Sequence, residues 1–465
     1  MPIILMTLAA CAPTSPLEPD SDQPARLNAL LSEHRYSEAA ALLEEMSAAA
    51  PADAAPLNKI GQIYLKQQRW LLAEDAFNRA LAQTPRHALA AAGLAEVKLN
   101  QGDWVKSLQL WQQAADIDPN LPGVFTGLGR TYLFRLDFQA ASAAFRRQQS
   151  HTADPEAQWY LAALTAPLDV TAANDYLLAI PLTAPTDILS RRDYLLATLV
   201  PFTTDSPPGA VARATGIALS QAEAWPLAIY ALQQAEAAGG QSPQEEAETL
   251  AFLGHGLAQM GQPAFDVFTQ ARQLNPKSAL PLYFYGLYLR RQNALTAAEQ
   301  QFRQAIELDP ANAASYAELA LTKAQQGDFA AAEAQFDMAV SLAGDDAAIP
   351  LLRVKFYAGR GYRVAEMGIP AAKALLEDSP GNAEAHDWLG WMYFLTGQTT
   401  EAESEFRQAI ELAPELVQAR YHLARLLEPS APEETLDQYR QVVDLDLTEE
   451  YRALALKKLQ QLENR

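Results

Sequence analysis

The chain has 465 residues, 49% apolar and 20% charged, which excludes a disordered polymer because there is ample apolar surface to bury. A formal net charge of −21 argues against a nucleic-acid partner, since affinity for phosphates comes largely from lysine and arginine. The one cysteine, Cys11, permits no internal disulfide and no thiolate metal cluster, and past the extreme N-terminus no apolar run approaches the roughly 18 residues of a membrane span.

The chain opens with MPIILMTLAAC, a short apolar segment ending in Leu8, Ala9, Ala10 and Cys11. This resembles the lipobox of bacterial lipoproteins, in which the cysteine becomes the lipidated first residue. The resemblance implies an extracytoplasmic chain tethered to a cell membrane or outer membrane through lipid alone. Ala12 is not acidic, which leans toward the outer membrane. The alternative is a cytoplasmic protein with an apolar terminus and an incidental cysteine. Residues 12–25, rich in Pro, Ser and Asp, read as a flexible spacer. Residues 1–25 are therefore expected to be a signal-like segment and spacer.

Residues 26–155 read as paired amphipathic helices, with apolar residues at three- and four-residue steps. A worn first hairpin uses Leu27, Leu30, Leu31, then Ala39, Leu43 and Met46. The next three use Leu57, Gly61 and Tyr64 with Ala73 and Phe77; Leu94 and Ala95 with Trp111; and Leu128, Gly129 and Tyr132 with Phe145. Between 156 and 208 six prolines break this spacing. Helices are still expected over 159–164, 172–180 and 186–199, with Thr171 and Thr186 as caps, forming divergent hairpins that change the course of the array.

Regular spacing resumes over 209–447. Gly216 and Leu219 pair with Ala228 and Leu232, and Gly254 and Leu257 with Phe268. The clearest unit follows, with Leu282, Tyr285, Gly286 and Leu289 on one helix and Ala298, Phe302 and Ala305 on the next. There, the small Gly286 and Ala298 let the two axes approach. Residues 352–380 are irregular, interrupted by Gly361, Gly368 and Pro370. Regularity returns with His386, Leu389, Gly390 and Tyr393 against Ala402 and Phe406, then in a last hairpin over 423–443. Residues 448–465 read as an amphipathic capping helix.

The unit over 279–312 resembles a tetratricopeptide repeat, in which W-x2-L-G-x2-Y is followed by A-x3-F and a proline over 34 residues. The register recurs: Pro85 and Pro119, Pro276 and Pro310, and Pro380 and Pro414 are each 34 apart. The resemblance implies an all-α, right-handed superhelical solenoid of about eleven hairpins, each stabilised by its neighbours.

No catalytic constellation is legible. The six histidines lack the i, i+4 pairing of a helical zinc site, and no phosphate-cradling loop or nucleophile elbow is present. Gly127 and Gly129 lie within a helix and read as packing sites. A non-enzymatic chain without cofactor or metal is expected.

In the tetratricopeptide family the first helix of each hairpin lines a concave groove. That resemblance places Asn58, Gln62, Lys66, Glu96, Thr126 and Arg130 there in the first half. In the second half it places Arg213, Ile217, His255, Tyr283, Leu287, Arg290, Arg353, Tyr357, Asp387, Trp391, Phe394, Tyr421 and Arg425. Arginine and aromatic residues commonly anchor protein interfaces. The expected function is a protein-binding scaffold of the bacterial envelope, taking a protein or peptide segment with acidic and aromatic side chains. Two alternatives stay open. The aromatics could fill a tight superhelix with the arginines paired to Asp387 or Glu428, or Trp391, Tyr357 and Tyr283 could stack on sugars in polysaccharide export.

Overall fold

The computed structural model describes residues 23–32, 35–446 and 450–463, so Cys11 and the signal-like segment lie outside the described residues. Among those described, the chain is built from α-helices with one π-helical turn and no strand. It forms a helical solenoid: each helix packs on the next, and each hairpin packs on its neighbour.

The 34-residue unit has a direct packing cause. A Cβ built on Gly286 would lie 2.6 Å from a ring carbon of Phe302, which is fully buried, as is Ala298. The small residue is therefore required for the ring to sit between the helices Ala279–Arg291 and Leu295–Leu308. The same pairing recurs between Gly61 and Phe77, Gly129 and Phe145, Gly254 and Phe268, and Gly390 and Phe406. Gly127 likewise makes room for Trp111. Helices of this length are marginal alone in water, so stacking supplies most of their stability.

Two expectations over 156–208 are corrected. The segment forms the helices Pro155–Thr165, Val170–Leu178 and Thr186–Leu199, and the first two make a hairpin while the third stands single. Thr171 is not the cap; the Asp169 side chain accepts from the backbone N–H of Ala172. Thr186 is the first helical residue, after Pro185. Beyond this segment the helix Trp225–Ala238 returns to touch Val124–Phe134 and Pro155–Thr165, with Tyr230 and Phe138 ring centroids 4.8 Å apart. The array thus turns a sharp corner here.

The irregularity near 361–370 also has a structural form. The helix Ala348–Arg360 ends on Gly361 at φ 60°, and Arg363 also has positive φ. A π-helical turn, Val364–Gly368, then leads into Ile369–Asp378, with Pro370 in that helix's first turn.

Candidate functional site

First helices of successive hairpins touch one another. Ala55–Lys66 meets Ala88–Asn100, which meets Val124–Phe134; in the second half the series runs from Pro208–Gln221 through Pro243–Gln259 and Ala279–Arg291 to Val417–Leu427. Second helices of successive hairpins make at most marginal contact. The first helices therefore occupy the inner side of the array, and the second helices fan out along the outer side.

On this inner face, charged residues pair across successive repeats. Arg130 lies 2.9 Å from Glu96, Arg213 lies 2.7 Å from Glu248 and 3.2 Å from Glu245, and Arg290 lies 2.6 Å from Glu318. Lys355 pairs with Glu384, and His422 Nδ1 lies 2.8 Å from Asp387 Oδ1, both groups being buried. Glu96 and Arg130, Arg213 and Glu248, and Asp387 and His422 stand 34 or 35 residues apart, about one repeat length. The face is thus balanced in charge despite the acidity of the whole chain. Burial holds the Glu318 carboxyl above the usual range even with Arg290 beside it.

Aromatic rings fill the space between these pairs. His255 stacks on Phe284 at 4.3 Å and meets the edge of Trp225 at 5.2 Å; burial and the nearby Arg291 charge lower its pKa to about 4. Tyr283 packs by Phe284 and Phe302, and burial pushes its hydroxyl up to about 12. Leu287 is half-buried between the same two clusters. Further along, Phe394, Trp391 and His422 form a stack, with Trp391 5.2 Å from Phe394 and 4.4 Å from His422. Trp391 and Phe394 are only half-buried.

Two expected groove residues sit elsewhere than expected. Tyr357 is 1% exposed and donates to Glu333 at 2.9 Å, while Arg353 on the same face lies 3.2 Å from Asp337. Both partners belong to Phe329–Leu342, the preceding second helix. Counting 68 residues from Tyr285 and Leu289 shows why: these are packing-stripe positions. The groove position in that helix is Lys355. Arg353 instead borders an outer cavity of about 430 Å³ that Asp345, Asp346 and Asp378 also line.

Tyr421 is at a groove position but 6% exposed, because Tyr451 of Glu450–Glu463 packs 5.2 Å away. Arg425 is half-exposed and lies 3.7 Å from Glu428, the pairing named as the alternative. Asn58, Thr126 and Asp387 are also buried, Thr126 bonding Asp154. Sugar stacking loses one of its three platforms with Tyr357 buried. Sequence reasoning missed Glu318, Glu384, His422 and Phe284. Only His422 carried a legible signal, standing one repeat length from Asp387; Glu318, Glu384 and Phe284 stand 28 or 29 residues from Arg290, Lys355 and His255, an offset no repeat period announces.

A family model described as "Tetratricopeptide repeat" matches residues 25–85, 58–122, 264–313 and 286–348, and another with that description matches 383–416. No curated protein matches the chain. Among solved structures it is similar to yeast Tom70, at 13% identity over 95% of each chain with a TM-score of 0.44. It is also similar to a chain of the APC/C hetero-tetramer Cut9-Hcn1, at 14% identity over 87% of this chain and 96% of that one, TM-score 0.42. A third is YrrB, described as a TPR protein with an unusual peptide-binding site, at 21% identity over 41% of this chain and 98% of that one, TM-score 0.32.

Proposed function

Because the chain carries tetratricopeptide repeats, we propose that it is a protein-binding scaffold that takes an extended segment of a partner along its inner face. The observation that carries this reading is the half-open aromatic stack of Trp391 and Phe394, continued in the earlier repeats by Tyr283 and Leu287. Such rings are large, rigid and cheap to order, which is what anchors an interface. The inner arginines are already matched by glutamates, so they orient polar groups of the partner and add little net attraction for acid. Apolar and aromatic side chains of the partner supply the affinity.

The scaffold is further proposed to be a lipoprotein of the bacterial envelope, outer membrane or cell membrane. This rests on Cys11 following Leu8, Ala9 and Ala10 as the one cysteine of the chain. Incorporation of labelled palmitate that disappears in Cys11→Ala supports it; equal detergent-phase partition of both forms contradicts it.

The binding reading is tested by capture from native membranes with Trp391→Ala and Leu287→Glu. Each is expected to lower recovery of a discrete partner at least tenfold, about 1.4 kcal/mol or more. Unchanged recovery in both variants removes the inner face as the binding surface.

A further inference from the structure

Two turns contact a distant part of the array. Where a hairpin's two helices meet, Asp103, Asp137 and Asp328 cap the second helix through their side chains. Gly102, Gly327 and Gly397 occupy the preceding left-handed position in three hairpins. In the fourth hairpin Leu136 takes that glycine's place at φ 58°, and it packs against the cluster of Ile229, Leu232 and Leu253 across the corner. In the second hairpin the turn is Gln67, Gln68 and Arg69, and Arg69 stands at the capping position with no side-chain cap made.

Gln67 and Arg69 are each 3% exposed, unusual for turn residues. They are covered by the far end of the chain. Gln67 Nε2 donates to the Asp444 carbonyl at 3.3 Å, Arg69 donates to the Val443 carbonyl, and the guanidinium lies 3.8 Å from the Asp444 carboxylate. Val443 and Asp444 belong to the last turn of the helix Pro432–Leu445, where four carbonyls have no partner within their own helix. A cation is favoured at that end by the helix dipole. Arg69, whose guanidinium has only donors and leaves the start of its own helix without a side-chain cap, thus caps the C-terminal end of a helix more than 370 residues away in sequence.

We propose that this turn is a latch: it fastens the second hairpin to the last one, closes the array on itself, and restricts approach to the inner face by bulky groups. The closure is independent of what the inner face binds. Spin labels at Leu71→Cys and Glu433→Cys, both exposed sites, in a Cys11→Ser background report it by pulsed electron resonance. The unlatched variant is Arg69→Asp, which supplies the kind of cap made by Asp103, Asp137 and Asp328 and repels Asp444, so the local helix is kept while the contact is lost.

The original turn is expected to give one narrow, short distance distribution, and Arg69→Asp a longer and broader one, with the circular dichroism unchanged. In parallel, a cysteine at Leu287 is expected to react several-fold faster with a polymer-bearing maleimide when Arg69 is Asp, and at an equal rate with a small maleimide. A distribution that is broad in both forms, or narrow in both with equal polymer rates, overturns the latch.

Discussion

The narrow approach of the two helices in each hairpin makes a sharp demand at Gly286. Replacing it with alanine adds a Cβ that would lie 2.6, 2.8 and 2.9 Å from three carbons of the Phe302 ring. Phe302 is fully buried, so the ring cannot swing into solvent. Overpacking of this kind costs about 1–3 kcal/mol, and the better helix propensity of alanine returns about 1 kcal/mol. The expected net loss is about 0–2 kcal/mol. Gly359 provides the internal control: it is an exposed helical glycine with nothing within 4 Å of an added Cβ. Gly359→Ala should therefore gain up to about 1 kcal/mol. Urea unfolding followed by circular dichroism measures the difference between the two variants, expected to be about 1–3 kcal/mol. Amide hydrogen exchange should place the loss in the Gly286 hairpin and its neighbours, since repeat arrays can open locally. If both alanines stabilise alike, the close-packing account of the 34-residue unit is wrong.

Other consequences are open to measurement. His255, with its pKa lowered to about 4 from 6.5, contributes fully above pH 6.5 and loses that contribution as pH falls toward 4. The ceiling is about 3 kcal/mol, and His255→Phe, which keeps the stack on Phe284, should flatten this part of the acid dependence; parallel curves for both proteins would contradict the burial argument. Tyr357→Phe removes the donor to Glu333 but leaves Arg363 paired with that carboxylate at 2.8 Å, so a loss of about 1–2 kcal/mol in urea unfolding is expected. Asp103→Ala should cost about 1 kcal/mol by exposing the Lys106 N–H; no change would mean the cap is idle.

Much of the fold was legible because a single packing rule repeats. Gly286 with Phe302 and Gly390 with Phe406 fall at fixed offsets, and helical periodicity displays both partners on the page. The proline-broken segment was less legible because Asp169 and Thr171 stand two residues apart and both are capping residue types; the stronger cap, Asp169, is the one used. Arg353 and Tyr357 lie in a unit with no clear glycine–phenylalanine pair to fix its register; counting 68 residues from Tyr285 and Leu289 puts them on the stripe. Tyr421 sits at a groove position, and only the docking of Glu450–Glu463 decides that it is covered. The contact between Arg69 and Asp444 joins residues 375 apart in sequence, so no local pattern announces it; Arg35 stands at the same turn position of the first hairpin.

The scaffold account meets its most direct test in site-specific photocrosslinking of the intact chain in its own cells. A photoreactive residue placed at Leu287, at Lys355 or at Phe394 lies on the inner helices, and one at Arg303 or Arg407 lies on the outer ones. The account predicts that the three inner positions yield adducts with the same partner protein and that the outer positions do not. Adducts from the outer positions alone would contradict it.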